Sequence, residues 1–225
     1  MSKQLLVPRY VLDRASKHVA KAEYGAFKEN VYITHESNEE RPKSVCWATN
    51  GHQLMRWTFD DGNLAEDFPI VEALPNGGSL PATIVLSGET AAKLAKAIPT
   101  KGSVKTLPIL GNALLSADEN GDLWAGVTDL DASQVIRMPA TDDTELPKGF
   151  IQVWDSANKD REVTCGFSAQ YLKLICESAI ASAKANGQDT TKAVPLTFYA
   201  DGEKSACRIE HGDGNAFLLM PVVVS

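Results

Sequence analysis

Three amphipathic helix patterns, each accompanied by short strand candidates, constrain the fold of this chain more than any other feature of its sequence. The patterns run from Pro8 to about Tyr24, from Ser87 to Pro99 and from Ser168 to Asn186. Pro is favoured at the first position of a helix, Ser is a common N-cap, and Asn-Gly commonly ends a helix. We therefore expect three helices, each with one apolar face against a sheet.

The apolar stripes of these helices have the spacing of three and four residues that places side chains on one face. They are Val11, Ala15, Val19 and Ala22 in the first helix, Ala91, Leu94, Ala95 and Ile98 in the second, and Leu172, Ile175, Cys176 and Ala179 in the third. Phe167 precedes the third helix at a position from which an apolar side chain can pack back on it. All these residues are core candidates.

Short β-prone segments separated by turn residues follow each helix. They cover residues 30–36, 44–49, 114–117, 123–127, 196–200 and 206–210, and a final strand follows the turn at 211–214. We therefore predict three β-α-β-β-β units, at roughly 1–60, 80–139 and 150–225. Irregular connections are expected at 61–80 and 140–148. The break at Pro147-Lys-Gly149 predicts that no fourth helix forms in 140–162.

Composition places the chain among ordinary globular proteins, with 44% hydrophobic and 23% charged residues. No apolar run approaches the roughly 20 residues that span a bilayer, and the first residues do not resemble a signal peptide. A cytoplasmic protein is expected.

Cys46, Cys165, Cys176 and Cys207 show no CxxC pairing and are expected to be free thiols. The net charge of −7 disfavours a surface that is basic all over, but it allows one basic face.

Catalytic and metal-binding patterns are absent from the sequence. The four histidines, His18, His35, His52 and His211, do not have metal-ligand spacing, and there is no phosphate-binding loop or nucleophile elbow. The acidic loop 118–122 lacks the ligand positions of a calcium loop. Asp129 and Asp131 could act as paired acids, although a loop between strands explains them more simply. We expect no enzyme, no cofactor and no metal, and a hydrolase that uses the acidic loops remains the alternative from another class.

Two apolar segments point to a binding groove. One is the terminal run Asn215-Ala-Phe-Leu-Leu-Met-Pro-Val-Val-Val-Ser225, which is too apolar for a solvent-facing tail. The other is Val45-Cys-Trp-Ala-Thr-Asn-Gly-His-Gln-Leu54, a β-prone run with an Asn-Gly turn. Apolar side chains with a flexible Met suit a groove that accepts Leu and Phe side chains of another protein.

These two segments resemble the bacterial DNA polymerase III β subunit, the sliding clamp. That family has an Ala-Thr-Asp-Gly-His-Arg-Leu segment and a Met-Pro-Met-Arg-Leu terminus, and its Gly-Phe-Asn-x-x-Tyr-Leu helix start is similar to Gly166-Phe-Ser-Ala-Gln-Tyr-Leu172. Residues 1–147 resemble the middle domain, and the rest of the chain, 148–225, is similar to the second half of the last domain. The resemblance implies a shortened α+β DNA-clamp fold, in which repeated β-α-β-β-β units place helices on one face of curved antiparallel sheets.

The resemblance also implies a pocket that captures short peptide motifs of polymerases and repair proteins. Its residues here would be Thr49, Gly51, His52, Gln53, Leu54, Pro147, Leu218, Met220, Pro221 and Val222. Three positions depart from the family pattern: Asn50 replaces Asp, and Gln53 and Val223 replace Arg. The alternative is that the Asn-Gly segment is an ordinary hairpin and the terminal run is an ordinary core strand.

Basic residues opposite the apolar stripes indicate contact with double-stranded DNA without base reading. They are Arg14, Lys17 and Lys21 on the first helix, Lys93 and Lys96 on the second, and Lys173 on the third. The alternative is a solvated helix face. The resemblance implies a replication or repair processivity factor that forms a homo-oligomeric ring of six domains and twelve helices, hence four chains with three helices each, or three chains with four. A peptide-binding adaptor or decoy that does not encircle DNA is the alternative function.

Overall fold

The computed structural model describes residues 4–20, 26–36, 43–51, 53–60, 65–140, 144–158, 167–185, 187–190, 194–199, 207–211 and 215–220. The chain forms two compact units, Met1–Trp154 and Asp155–Ser225. None of the helices in these ranges has the length and apolar content that a bilayer crossing requires.

The first unit contains two consecutive halves, each with strands around one main helix. The first half comprises β1 (Gln4–Pro8), α1 (Arg9–His18), α2 (Ala26–Glu29), β2 (Asn30–Glu36), β3 (Lys43–Thr49) and β4 (Leu54–Asp60). The second half comprises β5 (Thr83–Ser87), α3 (Gly88–Ala97), α4 (Ser103–Thr106), a 3₁₀ turn (Pro108–Gly111), β6 (Asn112–Ala117), β7 (Leu123–Thr128) and β8 (Ser133–Arg137). A further helix, α5 (Lys148–Asn158), follows and extends past the end of the unit at Trp154.

The two halves exchange their first strands. One antiparallel sheet has the order β4-β3-β2-β5, and the other has the order β1-β6-β7-β8. Strand β5 opens the second half but pairs with β2 of the first half, with Ile33 opposite Ile84. Strand β1 opens the first half and pairs with β6 of the second half, with Leu6 opposite Leu114. Neither sheet is therefore complete without the other half.

Helices α1 and α3 pack against each other and against one face of both sheets. Leu12 and Ala15 of α1 and Ala91 and Leu94 of α3 are buried in a single core with side chains from both sheets. The Arg9 Nε donates a hydrogen bond of 2.8 Å to the carbonyl oxygen of Ala95 and so ties α1 to α3. The Ser87 hydroxyl accepts the Thr90 N–H at 3.1 Å, which is the N-cap that the sequence predicted for α3.

The opposite face of each sheet is also covered. Phe68, Val71 and Leu74 of the connection between the halves pack on Leu6 and Leu114 of one sheet. Phe150 and Trp154 of α5 pack on a cluster from the other sheet, formed by Tyr32, Val45, Trp47 and Val85. Because strand side chains alternate between faces, this explains why three successive residues of β2 (31–33) and four of β3 (45–48) are apolar.

Helix α5 corrects the sequence prediction that residues 140–162 contain no helix and that 140–148 are irregular throughout. The helix begins directly after Pro147, whose carbonyl oxygen accepts the Phe150 N–H at 2.9 Å. A Pro just before a helix does not interrupt its hydrogen bonds, and Gly149 lies in the first turn, where it costs little. Burial of Phe150 and Trp154, which are four residues apart on one face, outweighs the weak local propensity.

The second unit contains α6 (Ala169–Ala185), β9 (Thr197–Tyr199), β10 (Cys207–His211) and β11 (Asn215–Leu219). The strands form an antiparallel sheet in the order β11-β10-β9. Ile175 of α6 packs on Cys207, Ile209 and Leu219, with Leu172 and Phe167 beside them. Gly187, with φ +73°, follows the helix, and the Gln188 N–H returns to the carbonyl oxygen of Ala183 at 2.9 Å.

Two further helix predictions need correction. Helix α1 ends at His18 because Val19 is extended, and the Ala20 N–H donates to the carbonyl oxygen of Lys28 at 2.7 Å instead of continuing the helix. Ala22 and Tyr24, to which the predicted helix extended, lie outside the described residues. Cys176 was predicted on the buried face of α6 but is exposed, since the buried stripe of that helix passes through Ile175, Ala179 and Ala183.

Candidate functional site

An open, mainly apolar groove of about 520 Å³ lies on the first unit, between the β3–β4 turn and the start of α5. Its walls are formed by residues of α2, the β3–β4 turn and α5, namely Phe27, Thr49, Gly51, Gln53, Leu54, Pro147, Gly149, Phe150 and Val153. Volumes of 300–1,000 Å³ are typical of ligand sites, and an apolar lining with few polar groups is also typical. The groove can therefore accept a few apolar side chains.

Hydrogen bonds within the β3–β4 turn fix one wall of the groove. The buried Thr49 hydroxyl donates to the carbonyl oxygen of Gln53 at 2.7 Å and accepts the Gly51 N–H at 3.0 Å. The Asn50 side-chain oxygen accepts the Gln53 N–H at 3.2 Å. Gly51 has φ +88°, and an added Cβ there would lie 3.3 Å from the Lys28 Nζ. The positive φ therefore favours Gly at position 51, whereas the end of the flexible Lys28 side chain could move away from an added Cβ.

Aromatic side chains form the floor below the groove. The ring of Phe150 lies edge-on to Tyr32, with centroids 5.6 Å apart, and edge-on to Phe27 at 6.5 Å. The Tyr32 hydroxyl donates to the carbonyl oxygen of Phe27 at 3.3 Å. Edge-to-face pairs of this kind add to the stability that burial provides. They connect α2, β2 and α5 into one support.

A cation–aromatic stack holds the other turn of α5 against the sheet. The Arg56 guanidinium lies 5.4 Å from the ring centroid of Trp47 and 5.4 Å from that of Trp154. The two indoles are themselves edge-to-face at 6.0 Å. Because Phe150 and Trp154 lie one turn apart, this stack and the aromatic floor together fix the side of α5 that presents Val153 to the groove.

The predicted peptide-site residues divide between the two units. Thr49, Gly51, Gln53, Leu54 and Pro147 line the groove of the first unit. Leu218 and Met220 line a groove of about 390 Å³ in the second unit, together with Tyr171, Leu174, Ile175, Phe217 and Leu219. His52, Pro221 and Val222 lie outside the described residues.

Sequence reasoning missed four residues of the first groove: Phe27, Gly149, Phe150 and Val153. Three of them belong to α5, a helix that was not predicted. A signal for α5 existed, since Phe150 and Trp154 are spaced by four residues after Pro147, but the apolar and exposed Ile151 and Val153 between them blur the amphipathic pattern.

Five of the six predicted DNA-facing residues lie in the described part of the chain, and all five are exposed: Arg14, Lys17, Lys93, Lys96 and Lys173. Lys21 lies outside the described residues. Helices α1 and α3 together carry five basic residues (Arg9, Arg14, Lys17, Lys93 and Lys96) and two acidic ones (Asp13 and Glu89). Their formal balance is +3 in a chain of net charge −7. The two helices thus provide a locally basic surface.

Acidic neighbours pair with three of these lysines. Lys17 contacts Asp13 at 2.7 Å and Lys93 contacts Glu89 at 2.7 Å, each one helical turn away. On α6, Lys173 lies 3.7 Å from Glu177. The hydrogen bond from Lys17 lowers the pKa of Asp13, and the hydrogen bond from Lys93 lowers the pKa of Glu89. Both carboxylates are therefore ionised at neutral pH and reduce the positive potential around the lysines.

The described residues contain no group of three or more His, Cys, Asp or Glu side chains that could hold a metal ion. Asp129 and Asp131, the candidate paired acids, lie in the β7–β8 turn, where the Asp129 carboxylate accepts the N–H groups of Asp131 at 3.1 Å and Ala132 at 2.8 Å. Burial raises the pKa of the Cys46 thiol to about 12, so this cysteine is a neutral core side chain.

No protein-family model and no curated protein matches the chain. Solved structures match it in fold. A proposed DNA polymerase III β subunit from Eubacterium rectale aligns with a TM-score of 0.63 and 12% identity. The β sliding clamp of Caulobacter crescentus, crystallised with polyethylene glycol at its proposed β-motif tethering region, aligns with a TM-score of 0.56 and 11% identity.

Each of these alignments covers 98% of this chain and 50% of the other, so the chain spans about half the length of the structures it matches. The likeness shows that this chain and these solved structures share a fold. The α+β clamp fold of antiparallel sheets and packed helices, which the sequence predicted, is confirmed.

Proposed function

We propose that this chain, which has the fold of a DNA polymerase III β sliding clamp, is a shortened clamp-like processivity factor for DNA replication or repair. It captures short peptide motifs of a polymerase or repair protein and associates with double-stranded DNA without reading its sequence. The groove between the β3–β4 turn and α5 carries this proposal, because it is apolar, open and bounded by a hydrogen-bonded turn and an aromatic floor.

The groove supports peptide capture by its shape and by its rim. Phe150, Val153 and Leu54 offer apolar surface for Leu or Phe anchors, while Gln53 is exposed at the rim and can hydrogen-bond a peptide backbone or amide. The family's Arg is replaced by this neutral Gln53. At position 53 a partner motif is therefore met by amide hydrogen bonds and not by a cation, while the Lys28 Nζ lies beside Gly51 of the same groove.

The exposed surface of α1 and α3 supports the DNA part of the proposal. Lysine and arginine side chains neutralise phosphates without base contacts, which allows a protein to slide. In this proposal the protein catalyses no reaction and needs no cofactor. It is cytoplasmic and homo-oligomeric. The ring of twelve helices that the resemblance implies would not include α5, because α5 lies on the sheet face opposite α1 and α3.

The experiment is a binding isotherm with a short peptide that carries a Gln followed by Leu and Phe anchors. We expect micromolar-scale affinity for the unmodified chain. Val153→Asp should weaken binding at least tenfold, because a carboxylate in the groove wall must be desolvated next to an apolar anchor.

Ile151→Asp is the matched control for this variant. Ile151 lies on the same helix and is 47% exposed, against 59% for Val153, but it does not line the groove. The same charge at position 151 should leave the isotherm unchanged. Equal loss in both variants, or no loss in either, would remove the groove from the proposal. Peptide binding without any retention on DNA would support the adaptor or decoy instead.

A further inference from the structure

The second unit has the architecture of a single half of the first unit. In the first unit, each half is a helix followed by an antiparallel three-strand meander, such as α1 followed by β2, β3 and β4. The second unit has α6 followed by β9, β10 and β11 in the same order, with β10 in the centre. The first unit therefore shows how such a half is completed when a second half is present.

Equivalent helix positions make the comparison concrete. Helices α1, α3 and α6 begin at Arg9, Gly88 and Ala169, directly after Pro8, Ser87 and Ser168. The fourth helical positions are then Leu12, Ala91 and Leu172, and the eighth are Ser16, Ala95 and Cys176.

In the first unit, these positions form the contact between the two helices. Arg9, the first residue of α1, donates to the carbonyl oxygen of Ala95, the eighth residue of α3. At the other end, an added Cβ on Gly88 would come within 2.3 Å of the Val19 side chain. The helices are therefore antiparallel and approach each other closely through small residues. Leu12, Ala91 and Ala95 are all buried there.

In the second unit, the same positions are open. Ala169 and Cys176 are exposed and Leu172 is only partly buried, whereas their counterparts on α3, Gly88, Ala95 and Ala91, are buried. Ile180, further along this side of α6, is 47% exposed. On this side of α6, Leu172 still contacts the core of its own unit, while Ala169, Cys176 and Ile180 are exposed.

The neighbouring strand is open in the same way. Strand β2 has β5 on its outer edge, and its core residue Ile33 is 0% exposed. Strand β9 is the end strand of its sheet among the described residues. Phe198 of β9 lies opposite the buried Ile209, as Ile33 lies opposite Cys46, but Phe198 is 49% exposed. An open edge beside an exposed aromatic side chain favours association with another chain.

We propose that a second copy of this chain completes the second unit: α6 of one copy packs antiparallel on α6 of the other, and the two β9 edges lie within the same two-fold interface. A two-fold axis suits this surface because α1 and α3 of the first unit pack antiparallel, with the first residue of each near the later turns of the other, and a two-fold interface joins identical surfaces.

The exposed apolar area supplies part of such an interface. Ile180 and Phe198 together expose on the order of 200 Å² of apolar surface, and Tyr199 is not counted because it lies on the opposite face of β9. One partner of a standard interface contributes roughly 450 Å² of apolar surface. Ala169, Leu172 and Cys176 supply part of the remainder.

In the proposed geometry, residue 169 of one copy lies opposite Cys176 of the other, at the pair of positions where the Arg9 side chain reaches the Ala95 carbonyl oxygen in the first unit. Within one chain these two positions are seven residues apart, about 10 Å along the helix, which is too far for a disulfide. Ala169→Cys should therefore give an intermolecular disulfide with Cys176. The background for all variants is Cys165→Ser, so that this further thiol does not interfere.

The experiment uses the full chain at micromolar concentration. Sedimentation measures its mass before oxidation, and non-reducing electrophoresis measures the cross-linked fraction after mild oxidation. We expect dimers or larger even-numbered species in solution, and a several-fold larger cross-linked fraction for A169C than for the background. The cross-link should disappear in A169C/C176S. Gln170→Cys, one residue away and turned off the contact side, should not cross-link above background.

A strict monomer at every concentration would overturn the proposal, as would equal cross-linking of A169C and Q170C or a cross-link that survives C176S. Phe198→Lys should shift sedimentation toward the monomer while α6 and the sheet keep their circular dichroism signal. The interface deepens the homo-oligomeric part of the proposed function, on which it rests. Its failure would leave peptide binding to the first unit untouched, so the two failures can be distinguished.

Discussion

At the scale of single residues, the turn between β3 and β4 shows how a small change preserves a site. The family pattern has Asp where this chain has Asn50, yet the Asn50 side-chain oxygen accepts the Gln53 N–H as a carboxylate would. Asn-Gly was readable in the sequence as a turn with positive φ, and Gly51 has φ +88°. Turn chemistry is local, which is why the sequence alone predicted this wall of the groove.

Thr49 provides a test at this scale. Thr49→Val keeps the shape of the side chain but removes the hydroxyl that bridges Gly51 and Gln53. Two backbone groups then lose their partner, at a cost of about 1–3 kcal/mol. We expect a lower Tm and several-fold weaker peptide binding because the rim residue Gln53 is no longer fixed. Thr100→Val, at an exposed position after α3, is the control and should change neither quantity.

At the scale of elements, α3 was predictable from its cap and its apolar stripe, and the aromatic helix α5 was not. Ser87 caps α3, and all four residues of its predicted stripe are buried. Helix α5 depends on Phe150 and Trp154 reaching Tyr32 and Trp47, which are more than 100 residues away in the chain. Long-range burial of this kind overrides local propensity and leaves little periodic signal in the sequence.

The charges of α1 and α3 give the prediction at the element scale. Asp13 and Glu89 pair with Lys17 and Lys93, and exposed pairs of this kind hold their partners weakly. Replacing both acids, by Asp13→Asn and Glu89→Gln, should strengthen DNA binding and steepen its dependence on salt by about 0.9 for each additional phosphate that the protein neutralises. Lys17→Glu with Lys93→Glu should do the opposite. Salt titrations of DNA binding would measure both slopes.

A charge-matched control separates this local effect from net charge. Glu72→Gln with Glu145→Gln removes the same two negative charges from exposed positions outside α1 and α3. DNA affinity should rise less in this pair than in the Asp13 and Glu89 pair. Because both lowered pKa values leave these carboxylates ionised above about pH 5, the difference should persist across neutral pH. Identical curves for the two pairs would rule out the α1–α3 surface.

At the scale of the whole molecule, the order of helices and strands was largely predictable, but the exchange of strands between halves was not. Register and pairing partners depend on contacts far apart in sequence, such as β1 with β6. If second units pair as proposed, four chains contain four first units and two composite domains. That arrangement gives the six domains and the twelve helices that the family resemblance implies.

Peptide capture by the groove of the first unit is measured most directly by amide hydrogen exchange of the chain with and without the peptide that carries Gln, Leu and Phe. We expect protection on peptide binding in two segments of the first unit, 49–54 and 147–154, which contain the lining residues of the groove outside α2. Segments on the helix face, such as 9–18, should be unchanged. Binding with no protection in 49–54 or 147–154, or protection confined to other segments, would contradict peptide capture by this groove.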